Sequence, residues 1–246
     1  MKKTAICIGL NYRNSDYALP DCDMDAREME SRAMAAGYQT HRYGADFTVN
    51  AFVDVVETLA KSGRKSNTTL ITYSGHGTQW HEGNEPDRME EGLCFWDGKR
   101  IQVLPDDDFR HLIESISGTV YIFLDSCFSG GMPRSLKGRI KLTGAWRGRM
   151  IPFEQGFEMM RIAPDLRRAV MAVNKSYYLL ACAESEVSWS TGTGGLFTKS
   201  FCQVYDKATA KARTISKIMK SAKSLCIPDQ TPKYEIYGGA STKRIL

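Results

Sequence analysis

Two apolar, β-rich runs, TTLITYSGHG over Thr68–Gly77 and TVYIFLDSCFSG over Thr119–Gly130, each stop at a turn of small residues. Each turn carries one reactive side chain, His76 in the first and Cys127 in the second. Strands that read as continuous apolar runs are buried on both faces, the habit of parallel sheets flanked by helices. Ligands of such sheets bind beyond the carboxyl ends of the strands, so these two endings bring an imidazole and a thiol toward one cleft.

The rest of the first half alternates in the same manner. Thr4–Leu10 is another buried apolar run, Asp21–Ala36 is helical in composition with Gly37 as its stop, and Gln39–Tyr43 is a short strand. Thr48 is placed to cap a helix through Ser62, with Phe52, Val55, Val56 and Leu59 on one face. A polar loop is expected from the Thr68 strand to Asp97, and a helix with an acidic first turn over Asp106–Ile116. Repeated βα units of this size predict an α/β fold, a mostly parallel central sheet with helices on both faces. The pattern breaks after Gly131, with one short helix expected near Asp165–Val173. It resumes with a strand at Ser176–Ala183, helices at Gly195–Lys207 and Thr214–Leu225, and an edge strand within Gln230–Tyr237.

Composition narrows the class. The chain has 246 residues, 42% hydrophobic and 25% charged, ordinary for a globular protein with a sizeable core. No segment approaches the ~20 apolar residues of a membrane span, and the start lacks a signal-peptide core, so a cytoplasmic protein with no membrane partner is expected. Seven cysteines without CxxC spacing give neither a disulfide framework nor a zinc site. The net charge of +5 belongs to one segment: Arg134, Lys137, Arg139, Lys141, Arg147 and Arg149 fall within Arg134–Arg149, where no acid occurs. Trp146 is the only aromatic there, which argues against nucleic acid as a partner.

A thiolate attacks a peptide carbonyl readily, and a histidine near neutral pH supplies the proton the leaving amine needs. Cys127 and His76 are therefore the expected nucleophile and its partner. Side chains two apart on a strand share a face, so Asp125 lies beside Cys127 and Ser74 beside His76. A carboxylate next to the nucleophile predicts a slot that attracts Arg or Lys. His41, His81 and His111 are read as surface or packing residues, and the STGTGG stretch at Ser190–Gly195 as a loop beside the cleft.

The Ser-Gly-His-Gly and Asp-Ser-Cys-x-Ser-Gly motifs resemble the catalytic dyad of caspase-like peptidases, closest to metacaspases and orthocaspases. The resemblance extends over nearly all of the chain, including GLFTKSF and the Gln-Thr-Pro at Gln230–Pro232. It implies a caspase-hemoglobinase-like fold divided into a large catalytic part at 1–131, a basic linker at 132–175 and a small part at 176–246 that completes one domain. It implies that the Gly77 amide helps form the oxyanion hole. The segment DCDMDA over Asp21–Ala26 is similar to the metacaspase Gly-Cys-x-Asn-Asp-Ala, which makes Asp25 the second acid of the slot and brings in Cys22; Asp21 and Met24 depart from that pattern. Cleavage of peptides or proteins after Arg or Lys follows, with self-cleavage in the basic linker. Alternatives are a pseudoenzyme acting as an interaction module and a related peptidase with another preference at the residue before the cut. The chemistry requires no cofactor, but metacaspases bind activating calcium, and the matching positions are Asp106 and Asp107 with Glu90 or Glu91 on the preceding loop. Arg134 stands where the family has a further acid.

Overall fold

The computed structural model describes residues 1–81, 89–127, 147–163, 174–183, 186–227, 230–239 and 243–246. The basic residues Arg134–Lys141, Trp146 and the helix expected near Asp165–Val173 lie outside them.

A six-stranded sheet forms the centre. Its strands are β1 (Lys3–Gly9), β2 (Gln39–Tyr43), β3 (Thr68–Ser74), β7 (Gly118–Asp125), β11 (Asn174–Leu180) and β13 (Lys233–Tyr237), in spatial order β13-β11-β7-β3-β1-β2. All pair in parallel except the edge strand β13, which runs antiparallel to β11. Alternation along each strand divides the core between two faces. Ala5, Cys7, Leu70, Tyr121 and Phe123 face helices α1 (Cys22–Ala35), α4 (Leu196–Lys207) and α5 (Ile215–Leu225). Ile6, Ile8, Ile71, Tyr73 and Ile122 face α2 (Val49–Ser62) and α3 (Asp106–Glu114). Thr48 caps α2 as expected, its hydroxyl accepting the Ala51 N–H at 3.1 Å. Near-complete burial of β1, β3 and β7 on both sides is what makes these three read as unbroken apolar runs.

Within the polar loop expected up to Asp97, the described residues Gly77–His81 and Met89–Trp96 are instead sheet. A second sheet runs β10 (Glu158–Met159), β6 (Ile101–Pro105), β5 (Met89–Trp96), β4 (Gly77–His81) and β9 (Met150–Pro152), and its apolar residues Leu93, Phe95 and Val103 join the larger core. Its strands are short and mix Glu and Gln with apolar residues, which hides their period in the sequence. Strand β8 (Arg147–Gly148) pairs antiparallel with β12 (Trp189–Ser190). The segment read as linker at 132–175 thus contributes β8, β9 and β10 to these smaller sheets.

One register positions the site. Ser74 of β3 pairs with Asp125 of β7, so His76 and Cys127 each follow their strand by the same two residues. The two turns leave neighbouring strands side by side.

Candidate active site

Between those turns lies the side chain of Arg149, fully buried at 0% exposure. Its Nη2 donates to Asp25 at 2.7 Å and to Asp21 at 3.2 Å, and its Nη1 donates to Ser74 Oγ and to the Asp125 carbonyl, both at 2.9 Å. The Asp125 carboxylate lies 3.0 Å from Nη1. Removing a guanidinium from water is costly unless partners of opposite charge and good geometry surround it, and here three carboxylates do. Burial and the Asp125 charge, with Arg149 and Ser74 pulling the other way, raise the Asp25 carboxyl to about 6.

The walls of this slot come from the second half of the chain. Ser188 Oγ and the Thr198 N–H and hydroxyl donate to Asp125 at 2.6–2.9 Å. Ser190 Oγ and the N–H groups of Gly192 and Gly194 donate to Asp21 at 2.8–2.9 Å, and the Gly195 N–H donates to Asp25 at 2.8 Å. The glycine-rich loop therefore uses its amides on carboxylates, as other nests use theirs on phosphates. A Cβ on Gly195 would come within 2.2 Å of the Asp125 carboxylate and 2.5 Å of Arg149, so only glycine closes that wall.

The Arg149 backbone is held as firmly as its side chain. Its N–H donates to the Ser188 carbonyl and its own carbonyl accepts the Gly77 N–H, both at 2.9 Å. On one side β8 pairs with β12, and on the other β9 pairs in parallel with β4 at Gly77↔Met150. Two short strands, β8 and β9, thus flank a bend at Arg149, and that bend seats its side chain in the acidic slot. Gly77 is itself pressed against the other turn: a Cβ there would meet the Cys127 carbonyl oxygen at 1.7 Å.

Cys127 is 2% exposed, and its Sγ accepts the Ser188 N–H at 2.9 Å. The His76 Nε2 lies 2.8 Å from the Tyr17 carbonyl. A carbonyl only accepts, so Nε2 carries the proton and Nδ1, which has no hydrogen-bond partner among the described residues, holds a bare lone pair. Burial lowers the imidazole to about 4, against the pull of the Tyr17 and Arg149 carbonyls. A neutral imidazole with a free lone pair is the form a base needs. Among the described residues, Sγ bonds Ser188 and meets the Cys182 thiol, and not the imidazole. Arg149 is gripped between them, by Ser188 on the Cys127 side and by Gly77, the neighbour of His76.

Of the residues expected from sequence, His76, Gly77, Cys127, Asp25, Asp125 and Ser74 meet in this one cleft. Cys22 lies beside it as a buried thiol raised to about 12, chiefly by burial. Sequence reasoning passed over Asp21 and the orienting Tyr17 carbonyl. It left Arg149 as one of six basic residues. Asp21 had a signal: four positions before Asp25, it belongs on the same helical face.

Asp106 and Asp107 open α3, and neither carboxylate bonds Arg149. Burial, then the charges of Asp107 and Glu90, raise the Asp106 carboxyl, while Arg110 opposes them. Arg110 lies 4.0 Å from Asp106, and among the described residues no group of three His, Cys, Asp or Glu side chains is arranged to hold a metal ion. The charges of Asp107 and Glu90 both reach Asp106, so the three acids expected to bind calcium stand near one another. No helix among the described residues is long and apolar enough to cross a membrane.

Metacaspase-7 of Arabidopsis thaliana is 28% identical over 159 residues, which cover 57% of this chain and 38% of that protein. Metacaspase-1 of Candida glabrata is 26% identical over 168 residues, covering 59% and 43%. The chain therefore spans less than half the length of these curated relatives. The crystal structure of protein GSU0716 from Geobacter sulfurreducens superposes with a TM-score of 0.78 at 22% identity, over 98% of this chain and 95% of that one, and establishes the likeness of fold. The Caspase domain family model matches residues 2–236, nearly the whole chain, and the protein belongs to that family.

Proposed function

We propose that the protein is a cysteine endopeptidase that cleaves after Arg or Lys. The observation that supports this most is Arg149, seated with its guanidinium against Asp21, Asp25 and Asp125 and its carbonyl on the Gly77 amide. A strand held this way has the posture of a substrate whose next bond is to be broken.

In the proposed reaction the Cys127 thiol gives its proton to Nδ1 of His76 and the sulfur attacks the carbonyl carbon of the basic residue. The oxygen gathers negative charge on the Gly77 N–H, an amide already placed 2.9 Å from that oxygen. The C–N bond then breaks, and the imidazolium returns the proton to the leaving amine. Water, deprotonated by the same imidazole, hydrolyses the thioester and frees the thiol. Tyr17 fixes the tautomer throughout.

Self-processing belongs to the same proposal, and the bond in place is Arg149–Met150. Until it is cut or the strand leaves, the chain fills its own slot. The filled slot and the Ser188-bound thiol also favour a second reading, an interaction module without turnover. A reporter series with Arg, Lys or Asp before the cut separates them: Arg and Lys peptides should be hydrolysed and Asp peptides left, with Cys127→Ala inert. Hydrolysis after Asp alone would overturn the basic preference, and no hydrolysis of any would favour the module. Repeating the Arg assay in chelator and in calcium tests a cation role for Glu90, Asp106 and Asp107.

A further inference from the structure

Resting on the reading of Arg149 as the residue before the cut, we propose that the site also selects its preceding neighbour, accepting glycine or alanine and rejecting larger side chains, through a wall built by Val187 and Trp189. In the resident strand that neighbour is Gly148. The β8–β12 register pairs Gly148 directly with Trp189, and directly opposed residues of an antiparallel pair project to the same face. A Cβ built on Gly148 comes to 3.2 Å from Val187 Cγ1 and 3.8 Å from Trp189 Cζ3. The first distance is tight and the second is ordinary contact, so one methyl already needs Val187 to give by a few tenths of an ångström, and a side chain extending toward Val187 and Trp189 needs more.

The wall has little room to yield. Val187 is 1% exposed and Trp189 7%, and both sit in one apolar cluster with Cys127, against Met150, Leu196 and Ile227. Pushing Val187 aside presses on the residue that carries the sulfur. Gly148 has no positive φ, so its backbone conformation is open to any residue and space alone makes the selection. An exogenous peptide that repeats the backbone bonds of Arg149 to Ser188 and Gly77 takes the same register and meets the same wall.

The test is a reporter series with Gly, Ala, Val, Leu or Phe before a constant Arg. Gly and Ala should be cut fastest, and Leu and Phe more slowly by about tenfold or more, the scale of one overpacked contact. Equal rates across the series would overturn the proposal while leaving the preference for Arg standing. Failure to cut any member would overturn that preference and this proposal with it. Val187→Ala should narrow the Gly-to-Leu ratio, and an unchanged ratio in the folded variant would overturn the assignment to this wall. If that variant does not fold, Gly148→Leu should slow self-cleavage after Arg149 relative to Gly148→Ala, and equal rates would count against the proposal.

Discussion

The Gly77 N–H lies 2.9 Å from the carbonyl oxygen of Arg149, while a Cβ on Gly77 would fall 1.7 Å from the carbonyl oxygen of Cys127. The amide that holds the Arg149 carbonyl is thus in place only because the residue has no side chain. Gly77→Ala should push the two turns apart and lower kcat on an Arg reporter by about a hundredfold, the scale of losing one oxyanion donor. Steady-state kinetics on the folded variant check this; a wild-type kcat would remove the amide from the mechanism.

Among the described residues, Arg149 is the cation that the carboxylates of Asp21, Asp25 and Asp125 share. Arg149→Ala should abolish self-cleavage at that position and destabilise the uncut chain by about 3–5 kcal/mol, the cost of stripping one partner from a buried pair. Thermal melts should show the loss, and benzamidine, whose amidinium is a similar planar and delocalised cation, should restore part of it. An unchanged melting temperature would mean the slot does not depend on its guanidinium.

Much of this was legible in the sequence, and the remainder fails for identifiable reasons. Unbroken apolar runs declared the parallel sheet, and a period of two placed Asp125 with Cys127 and Ser74 with His76. The second sheet was invisible because β4 and β6 are five residues each and polar residues interrupt them. Asp21 was discounted as a departure from a motif, although its spacing from Asp25 put both on one face. The seat of Arg149 is a tertiary fact: nothing local distinguishes it from Arg147, two residues earlier and exposed.

Titration of the slot gives a pH signature. With Arg149 seated, the Asp25 carboxyl stands at about 6, raised chiefly by burial and held down most by the guanidinium. A slot that stays closed to water when empty lacks that pull, so there Asp25 protonates at a higher pH, and a basic side chain must displace the proton to bind. Affinity is complete above the empty-slot value, declines as pH falls toward 6, and levels below it. KM for an Arg reporter should rise accordingly on acidification, and Asp25→Asn should flatten that dependence. Stability is a poorer readout, because two groups oppose each other there. His76, lowered from 6.5 to about 4, costs stability as pH falls through that interval, whereas Asp25, raised from 3.8 to about 6, adds it below 6.

Asp21 carries a prediction of its own. It receives Ser190, Gly192, Gly194 and Arg149, so it ties the glycine-rich loop to the slot as well as facing the cation. Asp21→Asn should lower kcat/KM on Arg reporters by about thirtyfold or more, the scale of breaking a buried charge pair. It should also raise proteolytic nicking within Ser190–Gly195. A variant with unchanged kcat/KM would leave Asp25 and Asp125 as the only acids that matter.

The most direct test of the account is covalent capture with a peptidyl chloromethyl ketone ending in Arg, against its Asp counterpart, followed by peptide mass mapping. The account predicts one label per chain, on Cys127, from the Arg reagent alone, lost in His76→Ala and slowed by added benzamidine. Labelling of another cysteine, or equal labelling by the Asp reagent, would contradict it.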